Sequence, residues 1–235
     1  MIPKDFMTLF DRLSRVHSCV EVFKDFLDVF LFVLSCGKYR EDYVRIDKLY
    51  DEQEKRTFMQ MVQVVADHSE GFCDILGEVF MEYISHGHNG QFFTPQHVSD
   101  LMAGITCAGI RPGQSVYDPT CGSGRMLLSA VKSLSLTHPN GRIFCYGSDI
   151  DLTCVKMATI NMLMNSIPSE IAWMNTLTLE HWKSFRTGLT RVGNVWLPTL
   201  LVLGAGDTDL VRHVEKTVKR SGYTTGTQLQ FSFDF

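Results

Sequence analysis

The sequence predicts an α/β fold, a parallel sheet clothed by helices and preceded by a helical block. Three observations carry this. Beyond residue 90, short apolar runs ending in Asp or Asn alternate with helix-length stretches. Gly-rich or polar turns separate them. Before residue 86, apolar residues recur instead at helical spacing and many are Phe.

In the first part, Val22, Phe23, Phe26, Phe30 and Val33 form one stripe. Phe72, Ile75, Leu76, Val79, Phe80, Tyr83 and Ile84 form another, with the i, i+3, i+4, i+7 pattern of an amphipathic helix. Gly37 and the Tyr39–Asp42 region mark a turn. The most apolar stretch, Val20 to Cys36, is interrupted by Glu21, Lys24, Asp25 and Asp28 and so reads as a buried helix, not a membrane span. Ser85–Gly90 reads as a linker, dividing the chain into a helical domain, 1–86, and an α/β domain, 87–235. His86 and His88 within it lack a third ligand nearby, which favours a hinge over a metal site.

In the second part, Ser115–Tyr117 is a short strand ending at Asp118, and Met126–Leu134 continues as a helix after a Gly-rich turn. Arg142–Gly147 is a second strand, Thr153–Asn165 a second helix and Glu170–Met174 a third strand. The alternation implies a parallel sheet with helices on both faces. Leu200–Gly206 is expected as a fourth strand with its turn, and Gln228–Phe235 alternates like a final one.

With 235 residues, 45% apolar and 20% charged, the chain is globular and long enough to bury a core without metal or disulfide staples. Its net charge of −4 excludes a general polyanion binder. Residues 1–89 hold sixteen acids against ten Lys and Arg, whereas residues 183–220 hold seven Lys and Arg against three acids. A phosphate-facing surface is therefore expected late in the chain, although a solvated helix face accounts for the same charges. Seven cysteines without a CxxC pair argue against zinc and a secreted disulfide framework. The amino terminus lacks a signal-peptide pattern, and a cytoplasmic protein is expected.

Chemistry is expected at the carboxyl ends of the strands. In Asp118-Pro119-Thr120-Cys121-Gly122-Ser123-Gly124, two glycines let the backbone approach a ligand, and the next helix offers its amino end to an anion. The third glycine of the dinucleotide fingerprint is missing, which disfavours a pyrophosphate and a NAD-dependent dehydrogenase. Asp149, after the second strand, can accept from both hydroxyls of a ribose, with Asp151 as a cap of the following helix. Asn175, after the third strand, can meet an adenine amine or serve as a turn residue.

These segments, with Gly90-Gln91-Phe92-Phe93-Thr94-Pro95, resemble the N-6 adenine DNA methylases, in particular the modification subunits of type I restriction systems. The resemblance covers roughly residues 70–180. It implies a Rossmann-like S-adenosylmethionine-dependent methyltransferase sheet with an amino-terminal helical domain. It also implies S-adenosylmethionine as cofactor, DNA as partner and a specificity subunit. By motif, Phe92, Phe93, Thr94 and Pro95 would line the methionine end of the pocket. Asp118, Thr120, Gly122 and Gly124 would hold the amino-acid portion, Asp149 the ribose, and Ile150 would pack on adenine. Asn175 stands where the family usually has Asp.

The family's Asn-Pro-Pro-aromatic motif, which receives the flipped adenine, is missing; Asn194-Val195-Trp196-Leu197-Pro198 has the residue types in the wrong order. No catalytic residue can therefore be named. The resemblance implies an adenine-specific DNA methyltransferase; the missing motif leaves open a non-catalytic cofactor-binding relative or a methyltransferase on another substrate.

Overall fold

The computed structural model describes residues 2–40, 43–85 and 92–212. The helical block comprises α1 (Lys4–Ser14), α2 (Cys19–Leu34), α3 (Tyr43–Leu49), α4 (Glu52–His68) and α5 (Ile75–Val79), which runs into a π-helical turn, Phe80–Ser85. A capping box starts α4: Asp51 accepts from the Gln53 and Glu54 N–H groups while Glu54 accepts from the Asp51 N–H. At the centre lies α2, which touches α1, α3 and α4. Its Val22, Phe23, Phe26 and Phe30 are buried, and Phe26 meets Phe6 edge-on at 5.4 Å. Two acids that break its hydropathy are buried as well. Asp25 accepts from the Tyr50 hydroxyl at 2.9 Å and pairs with Arg45, while Asp28 pairs with Lys156. Unpaired, either would destabilise the fold by about 3–5 kcal/mol.

The helix expected over Phe72–Ile84 is shorter. Phe72 has φ +63° and lies outside it, and Asp74 caps the start by accepting from the Gly77 N–H at 2.8 Å. The expected linker and both of its histidines fall largely on residues 86–91, outside the described residues, as does Gln228–Phe235.

The second part runs α6 (Gln96–Thr106), β1 (Ser115–Asp118), α7 (Arg125–Thr137), β2 (Phe144–Asp149), α8 (Leu152–Met164), β3 (Ser169–Asn175), β4 (Glu180–Val192) and β5 (Val195–Leu203). These strands form one sheet in the order β1-β2-β3-β4-β5. The pairs β1·β2 and β2·β3 are parallel; β3·β4 and β4·β5 are antiparallel. α7 packs on β1, α8 packs on β2 and β3, and the two helices touch each other, so they cover one face; the right-handed rule for parallel crossovers accounts for their sharing it. The opposite face carries Tyr117, Tyr146, Ala172 and Met174, on which Leu210 packs. Leu210 lies in a helical turn, residues 209–212, so this face too carries a helix; what departs from the expected parallel sheet is the antiparallel hairpin that follows the third strand.

Nearly all of α8 is buried because it lies between the sheet and α2. One apolar core runs from Phe23 and Phe80 through Val155 and Ile160 to Ile171 and Phe185, so the helical block and the sheet share it. Among the described residues no helix is long and apolar enough to cross a membrane.

Candidate functional site

Parallel pairing brings the carboxyl ends of β1 and β2 side by side, with Asp118 opposite Gly147 and Asp149 two residues further along β2. The Gly-rich turn after β1 folds over the end of β2. The Cys121 N–H donates to the Ser148 carbonyl at 2.9 Å, and the Gly122 N–H donates to Asp149 Oδ2 at 2.9 Å. Asp149 Oδ1 accepts from the Asp151 N–H at 2.9 Å. Each carboxylate oxygen keeps a second lone pair.

Gly122 has φ +53°, and a Cβ there would lie 2.9 Å from the Phe93 ring. Only glycine meets both demands. Phe93 in turn stacks on Phe80 at 5.4 Å, so the 92–95 segment is pressed against the turn from one side. Neighbouring Phe92 is 74% exposed. After the turn, α7 starts at Arg125 with no side chain capping its first N–H groups.

A cluster of hydroxyls knits the three strand ends together from below. Ser148 Oγ lies 2.9 Å from the Tyr117 hydroxyl and 3.0 Å from Thr176 Oγ1, and Ser148 and Thr176 both donate to the Pro119 carbonyl. Neither Ser148 nor Thr176 stands out in the sequence, although each directly neighbours a strand-end Asp or Asn.

Burial raises the Asp118 carboxyl above its ordinary value, and Asp149 adds to this while the Thr120 N–H opposes it. Asp149 is raised by burial too, against the Asp151 and Gly122 N–H groups. Two such acids side by side favour a ligand that brings positive charge or hydrogen-bond donors. Inside the turn, burial and then Asp118 and Asp149 push the Cys121 thiol well up, which disfavours the reactive thiolate.

Asp151 caps α8, accepting from the Thr153 N–H at 2.8 Å. Ile150 is 63% exposed beside Asp149, its carbonyl held by the Trp173 indole N–H at 3.0 Å. Asn175 turns inward on its own loop, where Oδ1 accepts from the Leu177 and Thr178 N–H groups at 3.0 and 3.2 Å. Thr120 contributes its N–H to Asp118 Oδ1 at 3.1 Å. The structure therefore gathers Phe93, Asp118, Thr120, Gly122, Asp149 and Ile150 at one edge and sets Asn175 in a turn of its own. Among the described residues no cluster of His, Cys, Asp and Glu is able to hold a metal.

The family profile of the N-6 DNA methylases matches residues 69–194, more than half of the chain and all of this edge. The chain belongs to the N-6 DNA methylase family. Within the family it is 28% identical over 145 residues to the type I restriction enzyme MpnII methylase subunit of Mycoplasma pneumoniae, 60% of this chain and 26% of that protein. It is 32% identical over 121 residues to the type II restriction enzyme and methyltransferase RM.BcgI of Heyndrickxia coagulans, 46% of this chain and 19% of that protein. This family member thus spans about a quarter or less of the length of those relatives. A solved type I restriction-modification methyltransferase subunit from Streptococcus thermophilus aligns with 75% of this chain and 41% of its own, at 24% identity and a TM-score of 0.42.

What the sequence did not signal is the back of the site. Asp74, from the helical block, reaches the Gly-rich turn by bonding Ser123 and also bonds Arg125, the first residue of α7, and Asn161 of α8.

Proposed function

We propose that this chain binds S-adenosylmethionine at the edge formed by β1 and β2 and serves the N6 methylation of adenine in DNA. The observation that carries this reading is the Gly122 N–H bonded to Asp149, which sets a side-chain-free turn beside a ribose-competent carboxylate.

The residues present fit the donor. Asp118 offers an acceptor to the ammonium of the amino-acid portion, with Thr120, Gly122 and Gly124 shaping the turn beneath it. The uncapped start of α7 suits the donor's carboxylate. Asp149 accepts from the ribose hydroxyls, and exposed Ile150 offers adenine an apolar surface. Phe92, Phe93, Thr94 and Pro95 close the methionine end, and Asn175 borders the adenine end. When bound, the donor supplies an electrophilic methyl on its sulfonium. The chain's own residues orient it and, through the two acids, favour its positive charge.

The groups that would receive the adenine amine are not encoded within these 235 residues, which contain no Asn-Pro-Pro-aromatic sequence. We therefore place the chain as the donor-binding part of a DNA methylase, completed by other polypeptide and by a specificity subunit of the kind type I systems use. Calorimetry with S-adenosylmethionine and S-adenosylhomocysteine tests the reading. Saturable binding in the micromolar range is expected; no heat up to about 1 mM ligand, roughly −4 kcal/mol, would remove it. Tritium transfer to duplex DNA should appear only when the missing groups are supplied.

A further inference from the structure

Asp74 is 4% exposed, and its carboxylate serves four donors. Oδ1 accepts from the Gly77 N–H and from Asn161 Nδ2, both at 2.8 Å. Oδ2 accepts from Arg125 Nε at 2.9 Å and from the Ser123 hydroxyl. Asn161 also donates to the Ser123 carbonyl at 2.9 Å, gripping that residue from both sides. Arg125 spends its remaining nitrogens on the Thr94 carbonyl and on Glu78, each at 3.0 Å. A Cβ on Gly77 would stand 2.0 Å from Asp74 Oδ2, so the helix start is kept bare for this carboxylate.

Arg125 sits at the first position of α7 and is 6% exposed, where the helix dipole disfavours a cation. Stability alone would not select a buried arginine there. What it achieves is geometric: one guanidinium ties the 92–95 segment, the Gly-rich turn and the helical block together, and Asp74 holds it in place.

We propose that Asp74 is a positioning residue for methyl-donor binding, acting through Ser123 and Arg125 to hold the Gly122–Gly124 turn against the 92–95 segment. This rests on the donor reading above. It makes donor affinity depend on a residue of the helical block that lies behind the turn. The pair Asp28–Lys156 provides the comparison, since it also joins a buried acid of the block to a buried base of the α/β layer, and neither residue is among the partners of Asp74, Ser123 and Arg125 named above.

The experiment measures donor dissociation constants by calorimetry and melting temperatures for the wild type, Asp74→Asn, Ser123→Ala and Asp28→Asn. Asp74→Asn keeps an acceptor for the Gly77 N–H and is expected to bind the donor about tenfold or more weakly. Ser123→Ala, which removes one hydroxyl and leaves the ion pair, should lose about threefold to tenfold and decides the matter if Asp74→Asn does not fold. Asp28→Asn should melt earlier yet bind within about twofold of wild type. Equal affinities of wild type and the Asp74 and Ser123 variants would overturn the inference while leaving the donor reading intact. So would an equal loss in Asp28→Asn, which would mark a general effect of stability. A wild type that does not bind at all would overturn both.

Discussion

The two ends of the sheet are built differently. At the carboxyl ends of β1 and β2, each loop is bonded to others: the Gly-rich turn to Asp149, Ser148 and Asp74, the 92–95 segment to Arg125, and Thr176 to Pro119. At the other end β4 runs past the start of β3, which pairs no further than Thr187, and the hairpin tip projects with residues 190–197 all exposed. There, among the described residues, the Arg191 guanidinium bonds only to Gly193 and Asn194, within the tip itself. Loops held from several directions are prepared for a ligand before it arrives, which lowers the cost of ordering on binding. A ribbon that, among the described residues, is held by its own pairing is more open to change.

The largest effect expected from this contrast is at Asp149. Asp149→Ala removes the acceptor of the Gly122 and Asp151 N–H groups and should weaken donor binding by about 1–3 kcal/mol, read by calorimetry. Gly122→Ala should follow, since it combines a positive φ with a clash against Phe93. A lower melting temperature and a loss of about 1–2 kcal/mol in stability are expected from the backbone alone.

A subtler test uses pH. Because the folded carboxyl of Asp118 lies above its ordinary value, its contribution to stability is complete below the unfolded pKa and is lost as pH rises through the folded one. Asp118→Asn, which can still accept from the Thr120 N–H, should therefore raise the melting temperature near pH 7 and change it little near about pH 4. The same substitution should weaken the donor, so stability and affinity move in opposite directions. If both fall together, Asp118 is a structural residue.

The smallest effects belong to the far end. Asn194→Ala and Trp196→Ala should leave donor affinity unchanged and alter stability by no more than about 0.5 kcal/mol. A loss of affinity there comparable to that of Asp149→Ala would erase the distinction between the two ends.

How much of this was legible in the sequence follows the same contrast. The strands ending at Asp118 and Asp149 and the helix capped by Asp151 were readable because apolar runs, glycines and acids all agree there. β4 was not, because its buried positions include His181, Ser184 and Thr187, polar residues satisfied by side-chain hydrogen bonds instead of an apolar alternation. The strand expected at 200–206 proved to be the end of β5, whose first residues are exposed. Asn175 illustrates a real ambiguity, since the same amide that suits an adenine also suits a turn. Asp74 was illegible for another reason: an aspartate before an amphipathic helix reads as a cap, and only the fold shows that its second oxygen faces residues about fifty positions away.

The continuity of Phe23, Phe80, Val155 and Ile171 in a single core has a consequence for how the molecule can be taken apart. A protease nick between 85 and 92 should yield two fragments that still co-elute, because the common interior and the bonds of Asp74 and Asp28 across it, not the peptide bond, hold them. Deleting everything before residue 87 should instead strip α8 of its cover and leave a remnant that aggregates, so what resembles a detachable prefix in the primary structure is half of the interior.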